Sequence, residues 1–338
     1  RLTGNSAESF ATTGAKGLES TRIQGSGTRR RSNGRSSPHR RRCTLTLGND
    51  HEKADSVPKP AAYDPAGTTV VSASDIGRVR NLNQDDCGEF VDAGSGTHLL
   101  VVADGMGGHR GGEVASQIAV QQIGDVFKRG TSPDAQALLE QALREANQCI
   151  FERANNEAEL EGMGTTAVAL LLDGQHEAVL GHVGDSRAYR MRQGKLEQLT
   201  ADHSVVGELV RRGQLSPEEA RHHPQSNEIL RAIGTRLNLQ VDLQEIDVQP
   251  NDRFLLCSDG LTSMLPDLEV EEVLRSQAIE VAVPELIELA NEAGGSDNIT
   301  LVVAEIPSAS ASADRPRGPG PEPAASGSGI RWLVLLAL

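Results

Sequence analysis

Between residues 69 and 305 the chain returns repeatedly to short β-branched or apolar runs closed by turn residues, and this rhythm limits the fold more than any other feature. Residues 69–74, 98–103, 166–172, 177–183, 187–191, 241–248, 253–257 and 299–305 all read as strands. Helical patterns lie between them. Over 112–127 the apolar Val114, Ile118 and Ile123 keep a helix-like spacing, and 133–155 reads as a second amphipathic helix. Two more are predicted over 267–275 and 284–293. Strands in consecutive runs followed by helices in pairs argue for an α+β fold with antiparallel sheets, not for strict βαβ alternation.

The rest of the chain frames this region. Residues 1–65 carry 12 Lys or Arg against 6 Asp or Glu, while the remainder carries 21 against 41. The Arg- and Ser-rich composition of the first segment cannot bury enough apolar surface to offset its ordering entropy, so a disordered basic tail is expected over 1–65. An Arg-rich, acid-poor stretch also has the look of a transit peptide, but the solvated tail is the preferred reading. Residues 66–306 form the expected domain, and 203–237 an inserted flap of short polar helices, where Ser216-Pro217-Glu218-Glu219 spells a capping box with Pro at the first helical position. Residues 307–338 are rich in Pro, Gly, Ser and Ala and end in a hydrophobic stretch, 330–338, too short for the roughly 20 residues a bilayer needs. That end reads as a membrane tether only if it belongs to a longer anchor.

Composition narrows the function. At 37% hydrophobic residues there is material for a core, and the strongly acidic remainder should repel nucleic acid. Aromatics, at 2%, are too few for base stacking to be the main business. Cys43, Cys87, Cys149 and Cys257 include no Cys-x-x-Cys pair, so a zinc ribbon is not supported and a reducing, cytoplasmic setting is expected. No Cys-x5-Arg phosphate loop exists: Ser263 stands six residues after Cys257 and Asn49 six after Cys43. No Gly-x4-Gly-Lys-Ser/Thr occurs, so the glycines of 105–112 are not a nucleotide loop. His222-His223, followed by Pro224, reads as a flap turn and not as a metal pair.

Four carboxylates, Asp85, Asp104, Asp259 and Asp297, sit at or beside predicted strand ends in short polar contexts. Several Asp with a backbone carbonyl and water form the ligand set that Mg²⁺ or Mn²⁺ prefers. Taken singly, each Asp-Gly or Asp-Asn is an ordinary turn. Taken in order, the segments resemble the metal-dependent type-2C protein Ser/Thr phosphatase family in its bacterial form. The resemblance covers about 70–305 and rests on Arg80-Asn81-Leu82-Asn83-Gln84-Asp85, on 101–109 with Asp104-Gly105-Met106-Gly107-Gly108-His109, on Gly164-Thr165-Thr166-Ala167, on Gly184-Asp185-Ser186-Arg187, on 199–204, on Ser258-Asp259-Gly260 and on Gly295-Ser296-Asp297-Asn298.

The resemblance implies an α-β-β-α sandwich of two antiparallel sheets with helices outside, and a site at one edge that takes two Mn²⁺ or Mg²⁺. By the same resemblance, Asp104 bridges the metals, the Gly105 carbonyl joins one of them, Asp259 and Asp297 complete the shell, and Asp85 acts through water. Asp185 falls at the position associated with a third, weaker metal. Arg80 should hold the substrate phosphate, because a guanidinium fork pairs two phosphate oxygens. A metal-bridging hydroxide attacks phosphorus, and His109 is the candidate general acid for the leaving Ser or Thr oxygen. Asn298 supports the site. Two departures stand out: Met106 fills the slot where animal relatives place a His, and Gln84 stands where many relatives have Glu.

The expected activity is hydrolysis of phosphoserine and phosphothreonine in proteins by a monomer, opposing a Ser/Thr kinase on that kinase's substrates. A non-catalytic phosphoprotein-binding module of the same fold, or a hydrolase of small phosphoesters, are the alternatives.

Overall fold

The computed structural model describes residues 62–63, 67–92, 94–108, 110–130, 132, 134–172 and 177–308, all within one compact unit. The chain opens with strands β1 (Ala62–Tyr63), β2 (Thr69–Asp75), β3 (Asp85–Asp92) and β4 (Thr97–Met106), followed by helices α1 (Gly111–Arg129) and α2 (Ala135–Asn156). Next come β5 (Gly164–Thr165), β6 (Ala167–Leu172), β7 (Glu177–Val183), β8 (Arg187–Arg192) and β9 (Lys195–Gln198), then the flap helices α3 (Val205–Arg211) and α4 (Pro217–Arg221). The chain continues with β10 (Asp242–Asp247), β11 (Arg253–Cys257), α5 (Asp259–Thr262), α6 (Asp267–Ser276), α7 (Ile279–Glu292) and β12 (Ile299–Glu305).

The strands form two antiparallel sheets, ordered β1-β2-β12-β11-β8-β9 and β10-β7-β6-β4-β3, with β5 paired to the end of β4. The period of two along each strand explains the four layers. In β4, Leu99, Val101 and Ala103 pack under α1 and α2, while Leu100 and Val102 turn to the interface between the sheets. In β12, Leu301 and Val303 face α6 and α7, while Val302 and Ala304 meet Phe254 and Leu256 between the sheets. Both faces of the central strands are therefore buried, which is why they read as unbroken apolar runs. The α-β-β-α sandwich implied by the resemblance is the architecture found.

Four strands escaped the sequence pattern: the two-residue β5, paired to the end of β4, and β1, β3 and β9, each at an edge of its sheet. An edge strand keeps one rim in solvent and carries polar residues, as in the acid-rich β3 and the exposed β9. Ala62–Tyr63 pair with Thr69–Val70 through β1, so ordered structure begins inside the segment expected to be a disordered tail. Residues 1–61 and the hydrophobic end at 330–338 lie outside the described residues.

Helix α7 also differs. Pro284 was expected at its first turn, but the helix starts at Ile279 and holds Pro284 in its interior. The missing amide forfeits one helical hydrogen bond. Burial of Ile279, Ala282, Val283, Leu286 and Ile287 along one face holds the helix together. In the flap the predicted capping box is present, and a second cap precedes it. Ser204 Oγ accepts from Gly207 N to start α3, and Ser216 and Glu219 exchange the two bonds of a capping box at α4. No helix among the described residues is long and apolar enough to cross a membrane.

Candidate dimetal site

Asp85 and Asp104 face each other across the β3–β4 ladder. Asp85 is the first residue of β3, at a strand end as expected, whereas Asp104 lies inside β4, which runs on to Met106. Pairing of β4 with β6 stops at Val102. Beyond it, the threonines of the Gly164-Thr165-Thr166 segment take over. Asp104 N donates to Thr166 Oγ1 at 3.0 Å, and Thr165 Oγ1 and Thr166 N both donate to the Asp104 carbonyl at 2.8 Å. The next residue must be glycine: a Cβ on Gly105 would stand 2.0 Å from the Gly112 carbonyl oxygen and 2.5 Å from that of Gln84.

The second sheet delivers its acids from the ends of β11 and β12. Ser258 directly precedes α5, whose first residue is Asp259. Asp297 and Asn298 directly precede β12. Ser258 Oγ donates to Asp85 Oδ2 at 2.7 Å and accepts from Thr300 N at 3.0 Å, which joins the two sheets at this rim. Buried Asn298 pins the loop that carries Arg80: its Nδ2 donates to the Ile76 and Leu82 carbonyls at 2.9 and 3.0 Å, and its Oδ1 accepts from Gln84 N at 2.8 Å. Gln84 thus takes part through its backbone, with its carbonyl accepting from Gly105 N at 3.1 Å. Arg80 Nη2 donates to Asp297 Oδ2 at 2.6 Å, and nearly half of the Arg80 side chain is exposed.

The electrostatics of this rim are one-sided. Burial first, then repulsion from Asp259 and Asp297, pushes Asp85 up to about 8, against hydrogen bonds from Ser258 and Thr300 that pull it down. Burial and the Asp297 charge push Asp259 up to about 6. Burial, with repulsion from Asp85, Asp259, Asp185 and Asp297, holds Asp104 well above the usual carboxylate range, and Asp185 is raised by burial and by Asp259. Buried Oδ1 atoms of Asp185 and Asp259 have no hydrogen-bond partner among the described residues. Acids packed this closely, with orphaned oxygens, need a cation to be ionised together. An all-oxygen donor set of this kind fits hard divalent ions.

Two cavities open on the acids. One of about 530 Å³ is lined by Arg80, Asp259, Asp297 and Ser263 and by Arg221 and His222 of the flap. The other, of about 640 Å³, runs under the flap from Asp185 and Asp259 past Val206, Val210 and Leu268. His222 is largely exposed, and His223 Nδ1 accepts from Gln225 N at 3.2 Å, as a flap turn requires. His109 lies outside the described residues. Sequence reasoning gave no role to Ser258, Thr300 or the Thr165 and Thr166 hydroxyls. Their motifs drew attention but not their hydroxyls, because a hydroxyl's partner depends on which strand arrives beside it. Cys257 is buried and its thiol is pushed up to about 12 by that burial, so it is no nucleophile.

A two-sheet sandwich with a buried acid cluster and the Arg80 guanidinium at its mouth defines a metal-dependent phosphohydrolase. The family model described as protein phosphatase 2C matches residues 77–295. The serine/threonine phosphatase Stp of Listeria monocytogenes is 42% identical over 237 residues, covering 69% of this chain and 93% of that protein. The crystal structure of the serine/threonine phosphatase PstP/Ppp of Mycobacterium tuberculosis aligns with a TM-score of 0.65 at 39% identity, over 71% of this chain and 99% of that one. The catalytic domain of PstP in complex with two manganese ions aligns at a TM-score of 0.64 and 38% identity, over 71% and 98% of the two chains. The chain belongs to the protein phosphatase 2C family, in its bacterial form.

Proposed function

We propose that this chain is a metal-dependent phosphoprotein phosphatase that hydrolyses phosphoserine and phosphothreonine, with Mn²⁺ or Mg²⁺ held by Asp85, Asp104, Asp259, Asp297 and the Gly105 carbonyl. The observation that carries the reading is the convergence of these acids from both sheets, with Asp85, Asp104 and Asp259 raised by burial and by neighbouring carboxylates. When bound, such ions supply Lewis acidity, lowering the pKa of a water and neutralising phosphoryl charge. Asp185 is the proposed ligand of a third, weaker ion.

The protein's own residues do the rest. Arg80 binds the phosphoryl oxygens: Asp297 engages Nη2 and leaves Nη1 and Nε for substrate. The same ion pair raises the Arg80 pKa and keeps the group charged. Asn298 fixes the height of the Arg80 loop through its bonds to Ile76, Leu82 and Gln84. The P–O bond to serine or threonine breaks as water oxygen bonds to phosphorus, and the leaving oxygen takes a proton. His109, five positions after Asp104, is the proposed donor on sequence grounds.

The cavities under the flap are large enough for a peptide on either side of the phosphoresidue, which supports protein substrates over small phosphoesters. Relatives named serine/threonine phosphatases support an enzyme that opposes a Ser/Thr kinase. A cytoplasmic setting is the reading from the cysteines, and a monomer is the expected state. The intact acids speak against a non-catalytic binding module. Phosphate release from a phosphothreonine peptide, measured with Mn²⁺ and with EDTA, tests the proposal. Release that EDTA abolishes is expected, and no release with Mn²⁺ bound overturns it.

A further inference from the structure

Outside the acid cluster, His182, His203 and Asp242 bring their ligand atoms within 4.8 Å of one another, a spacing that would suit a metal ion. The hydrogen bonds assign the group another role. Gly184 N donates to His203 Nδ1 at 3.1 Å. A backbone amide can only donate, so Nδ1 is the bare nitrogen and the proton of the neutral ring sits on Nε2. Burial, then the neighbouring His182 ring, pushes His203 down to about 4, so the ring is neutral at physiological pH. Arg231 Nη1 also lies 3.2 Å from Nε2, but it has the closer carboxylate oxygen Asp242 Oδ1 at 2.8 Å as its acceptor, so Nε2 keeps the ring proton, has no lone pair for a cation and donates to Asp242 Oδ2, 3.2 Å away. His182 Nε2 is committed to the Ala201 carbonyl at 3.1 Å. The positive charge in the group is already present as Arg231, whose Nη1 donates to Asp242 Oδ1 at 2.8 Å.

His203 grips Gly184 twice, since its own amide donates to the Gly184 carbonyl at 2.8 Å. Gly184 has φ +114°, and a Cβ there would stand 2.5 Å from Thr166 Cγ2. The turn that presents Asp185 is thus wedged between Thr166, which also holds Asp104, and the His203 ring. The same residue closes the base of the flap. Its carbonyl accepts from Leu230 N at 2.7 Å, Val205 N donates to Glu228 O at 2.9 Å, and Ser204 bridges Ile229. The His182 ring stacks on His203 at 4.5 Å and 19°, and His182 pairs with Asp242 in the β7–β10 ladder.

We propose that His203 is a positioning residue: with its proton on Nε2, it ties the Asp185 turn on one side and both arms of the flap, through Asp242, on the other. The ring thereby sets the flap and its cavity in register with the acid cluster. The consequences for turnover rest on the phosphatase reading; the tautomer and cation binding do not.

A ring-¹⁵N spectrum of the metal-free full chain at neutral pH tests the assignment directly. A one-bond N–H doublet on His203 Nε2 and none on Nδ1 is expected; the proton on Nδ1 overturns the proposal. Three variants separate the two arms. His203→Leu should weaken the weakest Mn²⁺ site seen by calorimetry by about tenfold or more. It should also raise KM for a phosphothreonine peptide about fivefold while leaving kcat on p-nitrophenyl phosphate within about twofold. His203→Asn, whose Oδ1 replaces the Nδ1 acceptor, should restore Mn²⁺ affinity to within about twofold but not the peptide KM. Asp242→Leu should raise peptide KM with Mn²⁺ affinity unchanged, and it serves if His203→Leu does not fold. Variants that lose thermal stability but keep wild-type Mn²⁺ affinity and peptide KM overturn the proposal. If the wild-type chain releases no phosphate from the peptide, the phosphatase reading fails, and the spectrum and the calorimetry still decide this one.

Discussion

Ser258, at the end of β11, donates its hydroxyl to Asp85 of β3 at 2.7 Å, and this bond ties the two sheets together at the rim where the acids meet. Removing it leaves Asp85 buried among like charges with one donor fewer. Ser258→Ala should raise the Asp85 pKa further and weaken Mn²⁺ binding at pH 7 by about tenfold, with a smaller loss at pH 9 where protons compete less. Calorimetric titration at the two pH values checks this; equal losses at both would assign Ser258 a purely steric role.

Asp259→Asn removes one of the mutually repelling carboxylates. Without metal the variant should melt higher than the wild type, because the repulsion that raises Asp104, Asp85 and Asp259 is relieved. With Mn²⁺ it should lose activity by about three orders of magnitude, since metal stabilisation of a phosphoryl transition state is worth several kcal/mol and each 1.36 kcal/mol is tenfold. Melting curves with and without Mn²⁺, beside turnover, read both effects. Full activity in this variant would sink the dimetal reading.

The raised acids give metal-free protein an inverted pH dependence. A carboxylate whose folded pKa lies above its unfolded value stabilises the fold when protonated, fully below about 4, and that contribution is lost as pH rises through the folded pKa. For Asp259 and Asp85 the loss runs through about 6 and then about 8. The melting temperature in EDTA should therefore fall between pH 5.5 and pH 9, by at least about 5 °C. The rise on adding Mn²⁺ should be larger at pH 9, because the ion then displaces fewer protons. A metal-free melting temperature flat across this range would count against the burial of these groups.

Arg80 holds Asp297 and faces the cavity, so its loss should act mainly on substrate binding. Arg80→Ala should raise KM for phosphopeptide by about tenfold with kcat changed less, and Arg80→Lys should recover part of it, because an ammonium supplies the charge but not the fork. His109→Ala should reduce turnover of a phosphothreonine peptide by at least about a hundredfold and of p-nitrophenyl phosphate only slightly, since the nitrophenolate leaves without a proton. Steady-state kinetics on the two substrates separate these roles, and equal losses of kcat on both would remove His109 as proton donor.

Central strands and metal-ligand candidates were legible in the sequence for one physical reason. A strand buried on both faces must be a continuous apolar run, and a carboxylate in a short polar context marks where such a run meets the site. Thus 177–183, 253–257 and 299–305 were read with the bounds the strands have, and Asp85, Asp104, Asp259 and Asp297 were singled out from their contexts alone. The edge strands β1, β3 and β9 were missed because solvent on one rim removes the apolar signal. Pro284 misled because a proline's local preference was weighed without the buried face that overrides it.

Chemical identity at each position, and the order of the motifs, were thus the sequence's own to determine: which residues carry charge, which glycines permit close approach, and which family the chain belongs to. Which groups meet was decided only by the tertiary structure. Asp85 and Asp104 stand opposite because of a strand register, Ser258 reaches Asp85 across 173 positions of chain because the two sheets stack, and His203 receives the Gly184 amide because the flap folds back on its own base. Hydrogen bonds and carboxylate repulsion act over a few ångströms of space, so the pKa of Asp85 and the tautomer of His203 exist as properties of the packed molecule and not of the residues in line.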